Sequence, residues 1–426
     1  MKCKYACQSP EHVIARRTFL GGLVGFGSAM GLAGMASPLV AKQLAAQQKH
    51  MLVIFLSGGV SQLETWDPKP KTDTGGPFRA ISTSVPGIQI SELLPHTAKQ
   101  MHHMALVRSI NTKENDHGKG RICMETGRRE MPGFNYPHLG AVASKLLTHE
   151  SNPLPGFIRV GGGNSVNKKD AAYLGPQFAS VTLGDGKPPA NSLRPEIISA
   201  EADAARNAFR RRVSDRFSMR RRAADTEAYV QSYEQAQRLM ERRDVFDVSR
   251  ESPAIQEKYG DHEFGRHCLL ARRLIEHGVS FVQVSHSNYD THYENFNFHI
   301  EQLGEFDATF AFLLQDLHDR GLLEKTLVVV MSEFGRTPKI NERYGRDHWG
   351  TAWSIAMAGC GIQHGAVIGK TNDNGTQVID REVNHGHLFH TYLRAVGADP
   401  TDSFTLNGRP MPVADPAASA IKELLA

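Results

Sequence analysis

Four short apolar runs in this chain each lead directly into a cluster of acidic, histidine or glycine residues. The runs are Met51–Leu56, Ala105–Val107, Val279–Val284 and Thr326–Met331. Continuous runs rich in β-branched residues are typical of strands buried on both faces of a parallel sheet. Ligands of open α/β sheets bind outside the carboxyl ends of the strands. The sequence therefore predicts an α/β fold, a three-layer sandwich with a mainly parallel central sheet, and one site at that edge.

The polar side chains after these runs are of the kinds that bind metal ions. We expect these residues to converge on one site: Glu64, Asp67, Asp116, His117, Asp290, His292 and Glu333. Carboxylate oxygens and imidazole nitrogens are common ligands of divalent metals. Any one of these clusters would be a weak signal, and it is their repetition that supports the prediction.

Length and composition indicate one large globular domain after a short leader. The chain has 426 residues, of which 40% are hydrophobic and 22% charged. We predict one α/β domain over residues 49–426, with a helical insertion near 199–245. Of the formal net charge of +4, most lies in residues 1–41, so the charge gives no indication of nucleic-acid binding. The arginine triplets of the insertion alternate with acids, which favours a solvated helical cap over a sulfate- or phosphate-binding face.

Residues 1–41 have the pattern of a twin-arginine signal peptide. Arg16 and Arg17 precede Thr-Phe-Leu and a glycine-rich apolar stretch. This predicts export to the periplasm by the twin-arginine machinery, with cleavage after Ala36 or Ala41. The alternative is an uncleaved membrane anchor, although the stretch is weakly hydrophobic for a membrane span. The sequence has no second apolar run of spanning length, so we expect no stable membrane span after processing.

Two of the polar clusters allow a metal site or an ordinary structural pairing. Asp290 and His292 alternate in an extended segment and can reach one pocket together, either as metal ligands or as a hydrogen-bonded pair. Glu333 follows a buried strand, where an acid must be paired or metal-bound. Its partner is a metal ion or, alternatively, Arg336.

Two further segments carry groups suited to an anion. Asp347 and His348 lie before the predicted strand at residues 353–357, and they suit either a metal-ligand pair or an anion contact. In the segment from His117 to Arg121, two glycines would let backbone N–H groups approach an oxyanion. Lys119 and Arg121 in that segment would neutralise its charge.

Taken together, the motifs resemble a known family. The segments GGVSQLETWDPKP, METGRR, YDTHYENF, SEFGRTPKIN and GRDHW are similar to those of the exported domain-of-unknown-function family number 1501. This family is placed near the sulfatases in the alkaline phosphatase superfamily. The resemblance covers roughly residues 49–400 and implies that superfamily's α/β fold and a metal-dependent site.

Alignment with the sulfatase pattern implies where the chemistry differs. Thr126-Gly127-Arg128 resembles the sulfatase Thr-Gly-Arg, which puts Arg121 on the motif arginine and His117 at the position of the modified nucleophile. Ser332 to Gly335 resembles the superfamily's Ser-Asp-His-Gly, with Glu333 in place of Asp and Phe334 in place of the ligand His. The resemblance therefore implies a site that lacks the formylglycine nucleophile.

The expected function is an exported metal-dependent hydrolase of sulfate or phosphate esters. The metal ligands would come from Asp290, His292, Glu333, His348, Asp347, Asp67 and Glu64, binding zinc, manganese or calcium. His117 would act as nucleophile, general base or metal ligand, and Arg121 and Lys119 would neutralise the ester. The substrate would be a sulfated or phosphorylated small molecule or glycan. The alternative is a non-catalytic exported protein that binds a polyanionic glycan or a protein partner.

Export can be tested through the arginine pair. Replacing Arg16 and Arg17 by lysine keeps the charge but removes the pattern that the twin-arginine machinery reads. We expect the double variant to accumulate in the cytoplasm in a fractionation experiment, while the wild-type chain reaches the periplasm. Normal periplasmic delivery of the variant would contradict the twin-arginine interpretation.

Overall fold

The computed structural model describes residues 42, 44–149, 151–162, 170–188, 193–218, 230, 233–234, 237–406 and 408–426. The predicted signal peptide and its cleavage site lie outside these residues, as does part of the predicted insertion. Within the described ranges, no helix is long and apolar enough to span a membrane.

The strands of the described part of the chain are short, and half of them belong to one large sheet. They are β1 His50–Leu56, β2 Ala80–Ser82, β3 Gln89–Ser91, β4 Met104–Ile110, β5 Phe157–Val160, β6 Val181–Leu183, β7 Phe281–His286, β8 Thr326–Met331, β9 Gly335–Arg336, β10 His348–Trp349, β11 Trp353–Gly359, β12 Ala366–Ile368, β13 Lys370–Thr371, β14 Val378–Asp380, β15 Ser403–Leu406 and β16 Arg409–Pro412. The helices are α1 Pro95–Lys99, α2 His117–Thr126, α3 Leu139–Leu147, α4 Ala200–Ser218, α5 Pro253–Tyr259, α6 Glu263–Glu276, α7 Asn295–Asp319 and α8 His385–Ala395.

The large sheet has the order β12-β4-β11-β8-β1-β7-β5-β6. Neighbouring strands are parallel except at β11, which is antiparallel to both β8 and β4. Because β11 is antiparallel to both of its neighbours, those neighbours, β4 and β8, run in the same direction. The predicted mainly parallel sheet is therefore confirmed, and so are the strands expected from the four apolar runs.

Strand β1 shows why the sheet lies at the centre of the molecule. All seven of its residues are buried, and alternate side chains of a strand point to opposite faces. Leu52 and Ile54 pack into the hydrophobic core that contains residues of α6 and α7. Met51 and Val53 pack into a second core with residues of α3 and α8. Helices thus cover both faces, which gives the three-layer arrangement.

The strand register brings several loops to one edge. Leu56 at the end of β1 lies opposite His286 at the end of β7, and Phe55 lies opposite Met331 at the end of β8. The loops that follow these strands therefore leave the sheet side by side. Since β11 runs the other way, the loop that precedes it reaches the same edge, so His348 approaches from a different direction.

The described part of the predicted insertion includes α4, a largely exposed helix. Arg210 and Arg211 on α4 both pair with Glu234, at 2.5 and 3.0 Å. Both arginines are therefore paired with an acid of the same segment.

A buried ion cluster between α6 and the preceding segment predicts acid sensitivity. Glu251 lies 2.8 Å from the fully buried Arg272 and also pairs with Arg273. Burial would raise the pKa of Glu251, but hydrogen bonds from the two arginines outweigh it and lower the pKa to about 2. A depressed carboxyl pKa stabilises the fold above the unfolded-state pKa, and this contribution is lost as the pH falls towards the folded-state value.

We expect Glu251→Gln to lower stability at pH 7 by about 1.5–3 kcal/mol, because it weakens charged hydrogen bonds to Arg272 and Arg273. Arg272 keeps Glu276 and Asp316 as acid partners. The difference from wild type should shrink as the pH falls below about 4.5. Chemical denaturation between pH 7 and pH 3 measures both effects, with the exposed Glu257→Gln as the matched control. A difference that stays constant over this range would contradict the assignment.

Candidate metal centre

Asp290 lies at the centre of a group of side chains outside the carboxyl edge of the sheet. It belongs to the loop after β7. Its Oδ1 accepts a hydrogen bond from Arg336 at 2.5 Å and lies 3.1 Å from Nε2 of His348. Its Oδ2 lies 3.3 Å from Nε2 of His117. His292, two residues further on, also turns its Nε2 to within 3.2 Å of Oδ1.

Each of the three histidine rings is oriented by an oxygen atom at its other nitrogen. The pairs are His117 Nδ1 with Glu333 Oε1 at 2.8 Å, His292 Nδ1 with Asp347 Oδ1 at 2.7 Å, and His348 Nδ1 with the carbonyl oxygen of Asn115 at 2.7 Å. A carbonyl or ionised carboxylate oxygen only accepts hydrogen bonds, so each Nδ1 is the donor. In the neutral rings, each Nε2 therefore presents a lone pair towards Asp290.

This leaves the Nε2 lone pairs of three histidines facing one carboxylate, whose Oδ1 already accepts from Arg336. Nε2 of His292 and Nε2 of His348 are 3.0 Å apart. Two neutral nitrogens at this distance repel unless a proton or a metal ion lies between them. Ligand atoms of His117, Asp290 and His348 all lie within 4.8 Å of one another. Imidazoles whose second nitrogen donates to an oxygen are the usual arrangement around a bound metal, so the residues present fit a divalent ion.

The turn after β1 brings the other loops into place. Gly58 has a φ of +119°, and a Cβ atom there would lie 2.4 Å from the backbone nitrogen of Asp290. Its N–H donates to Oε1 of Glu333 at 3.0 Å. At α2, Asp116 caps the helix by accepting from the N–H of Lys119, which makes His117 the first helical residue. Asp116 therefore supports the centre as a cap, outside the group around Asp290.

The sequence suggested a metal ion or Arg336 as the partner of Glu333, and the structure shows His117 and Gly58 there instead. Its Oε1 accepts from His117 and from the N–H of Gly58, and its Oε2 lies 2.9 Å from Oγ of Ser332. Arg336 pairs with Asp290 instead. Glu333 is thus engaged in orienting His117, and Asp347 likewise orients His292.

The structure does not bring Glu64 and Asp67 into the group around Asp290. Glu64 is fully buried and pairs with the equally buried Arg346 at 2.8 Å. Asp67 lies 3.0 Å from Nζ of Lys69 and 3.7 Å from Nε of Arg108. Both acids follow β1 as expected, but each is held by a nearby cation, so the expectation that they face the metal fails on geometry.

The two cations expected at the ester have different surroundings. The guanidinium of Arg121 lies over the ring of Phe55, 4.7 Å from its centroid, and its Nε is 3.7 Å from Glu125. Arg121 is thus anchored against the sheet. The side chain of Lys119 is exposed in the first turn of α2.

Phe334 contributes to the centre by packing, a role that an apolar residue type did not suggest from the sequence. It is fully buried, and its ring lies 4.9 Å from that of His117 and 4.4 Å from that of His348. It packs against both imidazoles, where the sequence comparison suggested only a lost ligand.

The sequence also did not reveal how many groups Arg336 holds. Arg336 is fully buried, and it donates to the carbonyl oxygens of Gly58 and Gly59 as well as to Asp290. Its position beside Glu333 was visible in the sequence, but its partners were not.

The surroundings shift the pKa values of the ionisable groups in different directions. Burial would raise the pKa of Asp290, but the hydrogen bond from Arg336, followed by the neighbouring imidazoles, outweighs it and lowers the pKa to about 2. The hydrogen bond to Glu333 raises the pKa of His117. Burial lowers the pKa of His348. Asp290 therefore stays ionised at neutral pH, and His348 favours the neutral form that can bind a metal.

Comparison with known sequences gives a family but no characterised relative. The family model described as "Protein of unknown function (DUF1501)" matches residues 48–425. A comparison with curated proteins finds no match.

Solved structures with a similar fold include a synthase, a sulfatase and a hydrolase. The lipoteichoic acid synthase LtaP from Listeria monocytogenes is 8% identical over 90% of this chain and 78% of its own, with a TM-score of 0.40. The PsFucS1 sulfatase from Pseudoalteromonas sp. is 13% identical over 86% and 73%, with a TM-score of 0.38. The phosphonate monoester hydrolase of Agrobacterium radiobacter is 10% identical over 88% and 77%, with a TM-score of 0.41. Likenesses this distant do not establish an activity.

The crowding at Gly58 gives a test of how the centre is built. Gly58→Ala would place a Cβ atom against Asp290, whereas Gly87, with a φ of +83°, has no atom within 4 Å of the same position. Both substitutions carry the strain of a positive φ, about 1–2 kcal/mol. We expect Gly58→Ala to destabilise the chain by about 1–3 kcal/mol more than Gly87→Ala, as in other overpacked sites. Chemical denaturation of the two variants measures this difference, and equal values would show that the turn tolerates the Cβ.

Proposed function

Because the chain belongs to the DUF1501 family, whose description names no activity, we propose its function from the chemistry of the candidate centre. We propose a metal-dependent hydrolase of sulfate or phosphate esters. The observation that carries this proposal is the convergence of three imidazole Nε2 atoms on the carboxylate of Asp290, while each Nδ1 is held by an oxygen.

The metal ligands in this proposal are His117, Asp290, His292 and His348. Imidazole-rich sets suit zinc or manganese better than calcium, which prefers oxygen ligands. When bound, the metal would act as a Lewis acid that polarises the ester and acidifies water. Glu333 and Asp347 would keep the rings of His117 and His292 in the tautomer that binds metal.

The geometry favours His117 as a ligand over His117 as a nucleophile. Its Nδ1 is engaged with Glu333 and its Nε2 faces Asp290, so neither nitrogen points away from the centre towards an incoming ester. The side chains in contact with Asp290 are histidines and an arginine. The proposed nucleophile is therefore a water molecule, and the reaction is a direct hydrolysis without a covalent enzyme intermediate.

Substrate binding would take place on the open side of the centre. About half of the Asp290 side chain and 40% of that of His292 are exposed, which leaves room for a ligand from solution. Lys119, an exposed cation two residues after His117 in α2, would bind an ester oxygen. Arg121, anchored over Phe55, would contribute positive charge at longer range. An anionic ester fits this surface because a metal ion and a lysine both favour negative charge.

The proposed location is the periplasm, reached through the twin-arginine machinery. This part of the proposal rests on Arg16 and Arg17 and the glycine-rich stretch after them. The proposed substrates are sulfated or phosphorylated small molecules or glycans of that compartment.

The metal is tested first, on the purified full chain. We expect at least one divalent ion per chain by elemental analysis, and its loss in Asp290→Ala combined with His348→Ala. The matched control is Asp373→Ala, an exposed acid in the turn between β13 and β14. Asp347→Asn should weaken zinc or manganese binding by about 10–100-fold, as is usual when an orienting partner of a ligand histidine is lost. Wild-type protein that binds none of these ions would contradict the proposal.

Activity is tested next, with metal-loaded protein and a panel of sulfate and phosphate monoesters and diesters. We expect Lys119→Gln to raise KM with metal content unchanged, and His117→Ala to abolish turnover together with metal binding. Loss of turnover with metal fully retained in His117→Ala would restore its role as nucleophile or base. Metal binding without turnover on any ester would instead support the alternative, an exported protein that binds a polyanionic glycan or a partner.

A further inference from the structure

A second group of histidines lies at the opposite edge of the sheet. His102 and His103 form the short turn that leads into the amino end of β4. His318 lies in the last turn of α7, and His364 lies in the turn between β11 and β12. The N–H of Gly365 donates to the carbonyl oxygen of Met104 at 2.7 Å, which ties that turn to the start of β4. The group is separated from the first centre by the length of β4, about 20 Å.

His103 is the hub of this group. Its ring centroid lies 4.1 Å from that of His102, 4.5 Å from that of His318 and 6.3 Å from that of His364. Three segments far apart in sequence thus bring four imidazoles into contact. Isolated surface histidines need no explanation, but three histidines around a fourth place several cations together whenever they are protonated.

The surroundings keep the hub in the form that binds metals. Burial, followed by the neighbouring histidines, lowers the pKa of His103 to about 4, so His103 is neutral at physiological pH. His102 contacts Ser84 Oγ at 3.0 Å through its Nδ1. Among the described residues, the rings of His103, His318 and His364 contact other histidine rings and have no hydrogen bond to the protein. Their nitrogen lone pairs are therefore available to a ligand.

We propose that His102, His103, His318 and His364 form a second divalent-metal site, of the zinc class, which joins the ends of three segments at the amino edge of the sheet. Imidazole is a preferred ligand of zinc, nickel and copper ions. The rings of this group contact one another in tilted or edge-on arrangements, so coordination requires the exposed ones to turn their nitrogens inwards. Exposed side chains change rotamer within nanoseconds, and three of the four histidines are exposed. The ion would act as a cross-link between β4, α7 and the β11–β12 turn.

The site is tested with Zn²⁺ on the full chain, with and without the first centre. In the Asp290→Ala/His348→Ala background, we expect the metal-stripped protein to bind one Zn²⁺ per chain in a calorimetric titration. Adding His318→Gln and His364→Gln should weaken that binding by at least about tenfold, because loss of an orienting neighbour alone already costs 10–100-fold. His96→Gln, an exposed histidine on α1, is the matched control and should change nothing.

A second measurement avoids the Asp290→Ala/His348→Ala variant, in case that variant folds poorly. In the otherwise wild-type chain, Zn²⁺ should raise Tm less in His318→Gln/His364→Gln than in His96→Gln, because binding to the folded state stabilises it. Both substituted histidines are exposed, so folding is not at risk. Equal Zn²⁺ affinity and equal Tm shifts in the two variants would overturn the proposal. Because the four histidines lie outside the first centre, this result is independent of whether that centre binds metal or hydrolyses esters.

Discussion

The buried guanidinium of Arg336 is the interaction on which the first centre depends. Its side chain is completely buried, and a charge removed from water must be satisfied by partners with good geometry. Arg336 donates to the carbonyl oxygens of Gly59 and Arg346 at 2.9 and 3.0 Å, as well as to Gly58 and Asp290. These acceptors come from the turn after β1, the loop before β10 and the loop after β7. One cation therefore fixes the relative positions of three loops that contribute to the centre.

A second buried arginine explains why Glu64, one of the expected ligands, does not face the centre. Arg346 donates to Glu64 and to the carbonyl oxygen of Thr74, each at 2.8 Å, and to the carbonyl oxygens of Thr337 and Pro338. An acid that compensates a buried arginine cannot also face a metal without leaving that arginine unpaired. In sequence, Glu64 looked like Glu333, since both are acids a few residues beyond a buried strand. What distinguishes them is the partner, which lies 282 positions away for Glu64.

The fold was more predictable from the sequence than the centre was. Each apolar run that became a strand carries its own signal, because burial on both faces requires continuous apolar residues, and membership of the DUF1501 family agrees with the motifs. The meeting of the loops after β1, β4, β7 and β8 at one edge also followed from the parallel sheet, because carboxyl ends lie together. Which nitrogen of His117 faces Asp290, and which acid orients the ring, depend on contacts between loops. Residue spacing along the chain does not encode these contacts.

The two histidine groups differ in how firmly their rings are oriented for binding a metal ion. Around Asp290, each ring is held through Nδ1 by Glu333, by Asp347 or by a backbone carbonyl oxygen, so its free nitrogen already points inwards. Around His103, the rings contact one another, and among the described residues they have no such oxygen partner apart from Ser84 at His102. Binding there would have to order the exposed side chains, which costs about 0.5–1.5 kcal/mol for each one immobilised. A preorganised set avoids that cost. The same ion should therefore bind more tightly at Asp290, where the carboxylate also adds a negative charge, than at the amino edge of the sheet.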